Sequence, residues 1–148
     1  MPVLVIMIGI QGSCKTTFCK ERFPGYEHIS LDDLHTRNKE RIVYRSVLEK
    51  HLDIVVDNTN PTIADRIKYM EPAKANGYKT VGYFMQSRVG DCIERNLLRT
   101  GKAKVPNTAI AATSNRLEMP SYDEGFDELY FVSILPEGFS ISEWREQK

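Results

Sequence analysis

Six consecutive apolar residues, Val3 to Ile8, run straight into the stretch GIQGSCKTT, Gly9 to Thr17, and this junction constrains the chain more than any other feature. A strand apolar at every position is one covered on both faces, as in a parallel sheet flanked by helices. The stretch after it fits the pattern GxxxxGK[ST] with one change, Cys14 in place of the second glycine. In such a turn successive backbone N–H groups converge on an anion, and the helix that follows aims its positive end at the same point. Lys15 then reaches β- and γ-phosphates, and the hydroxyl of Thr16 ligates magnesium. The relaxed pattern is weak alone; its place between a buried-type strand and a helix gives it weight. Because only glycine is free of the Cβ constraint, Cys14 is expected to weaken nucleotide affinity.

The rest of the chain alternates short apolar runs with amphipathic stretches, the α/β pattern. Asp53 to Asp57, Thr80 to Met85 and Glu128 to Ile134 read as further strands, with Tyr26 to Ser30 a weaker fifth. Helices are predicted over Lys39 to Leu52, Pro61 to about Asn76, Arg88 to Arg99 and Asn107 to Leu117. For the second of these, Asn60 is the expected cap, Pro61 the first helical residue and Gly77 the stop. No stretch is long enough to divide 148 residues, so a single domain is expected, with an acidic tail from about residue 136 that has latitude to be flexible.

Formal net charge is zero, which removes the simplest argument for nucleic-acid binding. Residues 1–110 nevertheless hold 17 Lys and Arg against 12 Asp and Glu, and residues 111–148 hold three against eight. A locally positive body can hold an anionic ligand. Cys14, Cys19 and Cys92 form no CxxC pair, which argues against structural zinc and for a reducing, cytoplasmic setting. The Val3 to Ile8 run is too short to span a bilayer and lacks the flanks of a signal peptide, so no membrane association is expected.

In sheets of this type ligands sit beyond the carboxyl ends of the strands. HISLDDLH places Asp32 and Asp33 just past the second strand, and VVDNTNP places Asp57, Asn58 and Asn60 past the third. A carboxylate at the first place can accept a proton from an attacking hydroxyl; one at the second can hold magnesium. The alternative for Asp32, Asp33 and Asn60 is helix capping. Further on, Arg88, Arg95 and Arg99 lie near one helical face, and Lys102 and Lys104 follow in a glycine-containing link able to close over a nucleotide. Arg95 stands four residues after Asp91 and can pair with it, which leaves Arg99 as the favoured arginine for the transferred phosphoryl group. His28 and His51 read as packed or surface residues, and Trp144 as a cover for apolar surface.

Taken in order, GxxxSxKTT, ISxDD, VDNTNP, CxxRNxxR, GKAKVP and EGFDEL resemble the 5′-hydroxyl polynucleotide kinases of bacteriophage and of the mammalian kinase/phosphatase, with their small predicted-kinase relatives, from about Pro2 to Ile134. The resemblance implies a P-loop kinase fold with a five-stranded parallel sheet, ATP and Mg2+ as cofactors, and γ-phosphoryl transfer to the 5′-hydroxyl of a nucleic acid. It makes Lys15 a phosphate ligand, Asp32 the general base and Arg99 the lid arginine, so Asp32, Lys15 and Arg99 form the expected catalytic set. Gly9, Gly12, Ser13, Cys14, Lys15, Thr16 and Thr17, with Arg95 and Arg99, are the expected nucleotide contacts, and Thr16 and Asp57 the metal ligands. Asp32, Asp33, His35, Asp57, Asn58, Asn60 and Arg66 are the expected acceptor side. His35 stands where the family usually carries an arginine that grips the substrate's 3′-phosphate, so that grip would be weaker and pH-dependent. A small-molecule alcohol is the rival acceptor, and a nucleotide-binding module without turnover is the rival class.

Overall fold

The computed structural model describes residues 1–101 and 104–145, with the side chain of Asp32 outside the described set. Lys102, named above in the basic link, therefore lies outside the described residues. The elements are β1 (Val3–Ile8), α1 (Lys15–Arg22), β2 (Glu27–Ile29), α2 (Leu31–Leu34), α3 (Arg37–Glu49), β3 (Ile54–Val56) and α4 (Ile63–Ala75). β4 (Lys79–Met85), α5 (Val89–Leu97), α6 (Asn107–Arg116), β5 (Glu128–Leu135) and β6 (Gly138–Glu143) follow. The sheet runs β2-β3-β1-β4-β5-β6.

β1 lies in the interior of the sheet because its residues are buried alternately on both faces. Leu4, Ile6 and Ile8 pack with Tyr44, Leu48, Tyr69 and Met70 of α3 and α4. Val5 and Met7 pack on the other face with Phe18 and Cys19 of α1. Parallel pairing sets Leu4 beside Ile54 and Ile6 beside Val56 on one flank, and Ile8 beside Phe84 on the other. The ends of β1 and β3 thereby become neighbours, which gathers both sequence motifs at one sheet edge.

The five expected strands form and are parallel, but a sixth, β6, pairs antiparallel to β5. Gly138, at φ 143°, reverses the chain after Leu135. Phe139 and Ile141 then turn inward toward the Phe18 side while Ser140 and Ser142 alternate with them. This period-two, half-polar pattern belongs to a strand with one solvated face, and it is easily passed over when continuous apolar runs are sought. Trp144 follows and packs against Phe84 and Phe131, covering apolar surface as expected.

A second correction concerns α4. Its cap is Thr62, whose hydroxyl accepts from the Asp65 amide while the Asp65 carboxylate accepts from the Thr62 amide. Such reciprocal satisfaction of two amides sets the helix start at Ile63. Asn60 does not cap: its side chain is buried and donates to the Met7 carbonyl at 2.8 Å.

Candidate active site

The loop between β1 and α1 takes the shape that an anion cradle needs. Gly12 sits at φ 80°, and a Cβ there would stand 2.5 Å from the Cys92 carbonyl oxygen. Both backbone angle and close approach therefore demand glycine. Cys14 adopts left-handed angles (φ 66°, ψ 26°) immediately before α1, so the thiol side chain is tolerated at a conformational cost of about 1 kcal/mol. Ser13 is buried. The Lys15 ammonium folds back and donates to the Ile10 carbonyl at 2.9 Å. Burial lowers its pKa to about 8; the nearby Arg99 charge adds to this and the Asp57 carboxylate opposes it.

The two acidic motifs converge on the start of α1. The Thr16 hydroxyl donates to Asp57 Oδ2 at 2.7 Å, and His28 Nε2 meets the same oxygen at 2.9 Å. The other ring nitrogen, Nδ1, lies 3.1 Å from Asp33 Oδ2. Burial alone would raise the Asp57 carboxyl, but hydrogen bonds from His28 and Thr16, with the charge of Lys15, hold it below its ordinary value. His28 is pushed up, chiefly by its bond to Asp57 and further by Asp33, against the opposing effect of burial. Thr16 and Asp57 offer hard oxygen ligands beside the cradle, the donor set that suits Mg2+.

A half-buried polar group anchors the second strand's sequel to the third. The Asn58 side chain accepts from the Leu31 amide at 2.9 Å and donates to Glu40 at 2.8 Å. Glu40, itself buried, also accepts from Tyr69 at 2.5 Å and from Arg37 at 3.3 Å. This fixes the start of α2, and with it the backbone of Asp32, at the mouth of a cleft of about 270 Å3. Gly12, Lys15, Thr16, Leu31, Asp57, Asn58 and Arg99 line that cleft, together with Arg37. Next to it is a pocket of about 310 Å3 whose lining includes Arg37, Arg41, Lys68, Glu40 and Tyr69.

On the nucleotide side, Arg95 donates to the Gly12 carbonyl at 2.7 Å, bracing the cradle from α5. Its expected surface pairing with Asp91 is thus replaced by a contact to the loop itself. Asn96, fully buried, clamps both the N–H and the C=O of Val105, which ties α5 to the segment entering α6.

The structure thus brings Gly12, Lys15, Thr16, Asp57, Asn58 and Arg99 to one cleft, and Asp33 to it through His28. The catalytic expectation for Asp32 concerns a side chain outside the described residues. His35 is exposed at φ 69°. Two acceptor-side expectations are overturned. Arg66 is fully buried: it donates to the Asn60, Pro61 and Glu118 carbonyls and to both Glu124 oxygens at 2.8 Å. All its donors are spent inside the protein, so it joins α4 to the 118–124 segment. Asn60 is likewise consumed by backbone carbonyls. His28 was missed because strand neighbours are invisible in a linear reading: it pairs with Val55 across β2 and β3, and Asp57, two residues on, projects to the same face.

No protein-family model matches the chain. Its sequence is 30% identical over 139 residues to a protein of Acanthamoeba polyphaga mimivirus named as a bifunctional polynucleotide phosphatase/kinase, covering 88% of this chain and 33% of that protein. It is 28% identical over 128 residues to the bifunctional polynucleotide phosphatase/kinase of Schizosaccharomyces pombe, covering 83% and 31%. The chain therefore spans about one third of the length of these relatives. Among solved structures it is similar to a gluconokinase from Sinorhizobium meliloti 1021, at 22% identity and TM-score 0.60, covering 89% of this chain and 82% of that one. It is also similar to Chaetomium thermophilum Kti12 in complex with ADP-AlF3, at 19% identity and TM-score 0.66, covering 88% of each. The fold is that of the P-loop kinases, and the resemblance to the polynucleotide kinases carried by the motifs extends, in sequence, over most of this chain.

Proposed function

We propose that residues 1–148 act as one kinase domain that transfers the γ-phosphoryl group of ATP, with Mg2+, to the 5′-hydroxyl end of a nucleic acid. The observation that carries this reading is the convergence of the phosphate cradle, the Thr16–Asp57 pair and the α2 start on one cleft, in a chain similar to polynucleotide phosphatase/kinases. Lys15 exchanges the Ile10 carbonyl for the β- and γ-phosphates. Thr16 and Asp57 would hold the metal, whose charge would offset that of the phosphates. Asp32 takes the proton of the attacking hydroxyl, and Arg99 stabilises charge on the transferred group. Gly12, braced by Arg95, keeps the cradle open.

The basic pocket of Arg37, Arg41 and Lys68, which shares Arg37 with the cleft, supports a polyanionic acceptor. The second reading, a small-molecule acceptor, is favoured by the modest volume of the cleft itself, about 270 Å3. Among the described residues no helix is long and apolar enough to cross a membrane.

Incubation with γ-labelled ATP, Mg2+ and a 5′-hydroxyl oligonucleotide should label the oligonucleotide. Label on a small alcohol but not on the oligonucleotide would overturn the nucleic-acid acceptor, and tight ATP binding without transfer to any acceptor would overturn the enzyme reading. Asp32→Asn should keep ATP binding and lose transfer; unchanged transfer would assign the proton to another group.

A further inference from the structure

The sulfur of Cys19 plays no part in the kinase reading, yet it lies in the same cluster as two groups that do chemistry. Cys19 Sγ, a ring nitrogen of His28 and a carboxylate oxygen of Asp57 all lie within 4.8 Å of one another. They come from three elements, α1, β2 and the end of β3, and Cys19 and Asp57 are buried. We propose that this triad is a binding site for a thiophilic divalent cation of the Zn2+ type, separate in chemistry from the Mg2+ position although it borrows Asp57.

Three observations carry the assignment. The ligand types are those zinc takes, one thiolate, one imidazole and one carboxylate, with a fourth position left for water. Tetrahedral zinc at its usual bond lengths separates ligand atoms by roughly 3.3–3.7 Å. The 2.9 Å contact between His28 Nε2 and Asp57 Oδ2 would open slightly to admit the ion, and the sulfur would close slightly. Second, His28 carries the outer partner that metal-bound imidazoles have: Asp33 Oδ2 holds Nδ1 at 3.1 Å and leaves Nε2 facing the site. Third, there is an entry path, since the His28 side chain is 29% exposed and that of Asp33 65% exposed, while Asp57 and Cys19 form the floor.

Binding releases two protons to solvent, that of the Cys19 thiol and the Nε2 proton that His28 gives to Asp57 in the metal-free protein, while Nδ1 keeps its proton on Asp33. The Asp57 oxygen that faces His28 is also the one that accepts from Thr16. A thiophilic ion there draws Asp57 off Thr16, so the ion and magnesium–nucleotide exclude one another. This last clause rests on the kinase reading; the binding itself does not.

The experiment uses the full chain, treated with chelator, titrated first with Co2+ as a spectroscopic probe and then with Zn2+. A 1:1 complex with a thiolate-to-cobalt charge-transfer band, displaced by one equivalent of Zn2+, is expected. Cys19→Ala should remove the band and weaken Zn2+ binding at least about 100-fold, with circular dichroism confirming the fold. His28→Gln, which leaves the core untouched, should weaken binding by a similar factor, and Asp33→Asn about 10- to 100-fold with the band retained. Absence of a 1:1 complex, a band that survives in Cys19→Ala, or unchanged affinity in His28→Gln would each overturn the site. Calorimetry of ATP and Mg2+ with and without Zn2+ tests the exclusion: equal affinities would overturn that clause. Failure of phosphoryl transfer would leave the metal titration intact, so the two readings fall separately.

Discussion

The Cα of Gly12 faces the carbonyl of Cys92 so closely that a methyl group placed on it would stand 2.5 Å from that oxygen. α5 is therefore docked on the phosphate cradle through bare backbone. Gly12→Ala should destabilise the protein by about 2–4 kcal/mol, from the clash and the φ of 80° together. It should also weaken ATP binding. Thermal unfolding and calorimetry on the same samples check both; an unchanged melting temperature would mean the loop and α5 separate freely.

Cys14 invites the opposite change. Its left-handed backbone is one that glycine adopts without the Cβ penalty, so Cys14→Gly should tighten ATP binding about fivefold, corresponding to about 1 kcal/mol. Equal or weaker binding measured by calorimetry would show that the thiol itself supports the loop.

Arg66 is expected to matter for folding and not for the acceptor. Arg66→Met leaves the buried Glu124 carboxylate without its partner and should cost about 3–5 kcal/mol in urea unfolding. The KM for an oligonucleotide, measured where the variant is still folded, should not move. A selective rise in KM would restore Arg66 to the acceptor site.

The His28–Asp57 contact gives metal-free stability a definite pH dependence. The His28 pKa is raised in the folded state, so its contribution is complete below about pH 6.5, the unfolded value, and is lost as pH rises through the folded value. The Asp57 pKa is lowered, so its contribution is present above about pH 3.9 and lost as pH falls through the folded value. Chelator-treated wild type should therefore exceed His28→Gln in unfolding free energy most clearly below about pH 6.5, with the gap closing above it. A gap that widens with pH would contradict the sign.

The sheet was largely legible because β1, β3, β4 and β5 carry apolar runs that burial on two faces requires. The cradle was legible for a similar reason: a continuous motif places Gly12, Lys15 and Thr16 by local geometry alone. What escaped depended on contacts across the chain. The β6 pattern needed β5 as a partner before it could register as a strand. Arg66 looked free because Glu124 is 58 residues away, and His28 looked idle because Asp57 approaches it only through strand pairing. Asn60 was read as a cap because the competing claim on its side chain, the Met7 carbonyl, lies 53 residues away.

The sheet order also ranks the parts of the site by durability. Thr16, at the start of α1, and Asp57 follow β1 and β3, interior strands enclosed on either side, whereas His28 rides on β2, a three-residue strand at the margin. Fraying at that margin would carry away the imidazole and leave the hydroxyl and carboxylate facing each other, so the oldest amide protons in hydrogen exchange belong with β1 and β3 and the youngest with β2.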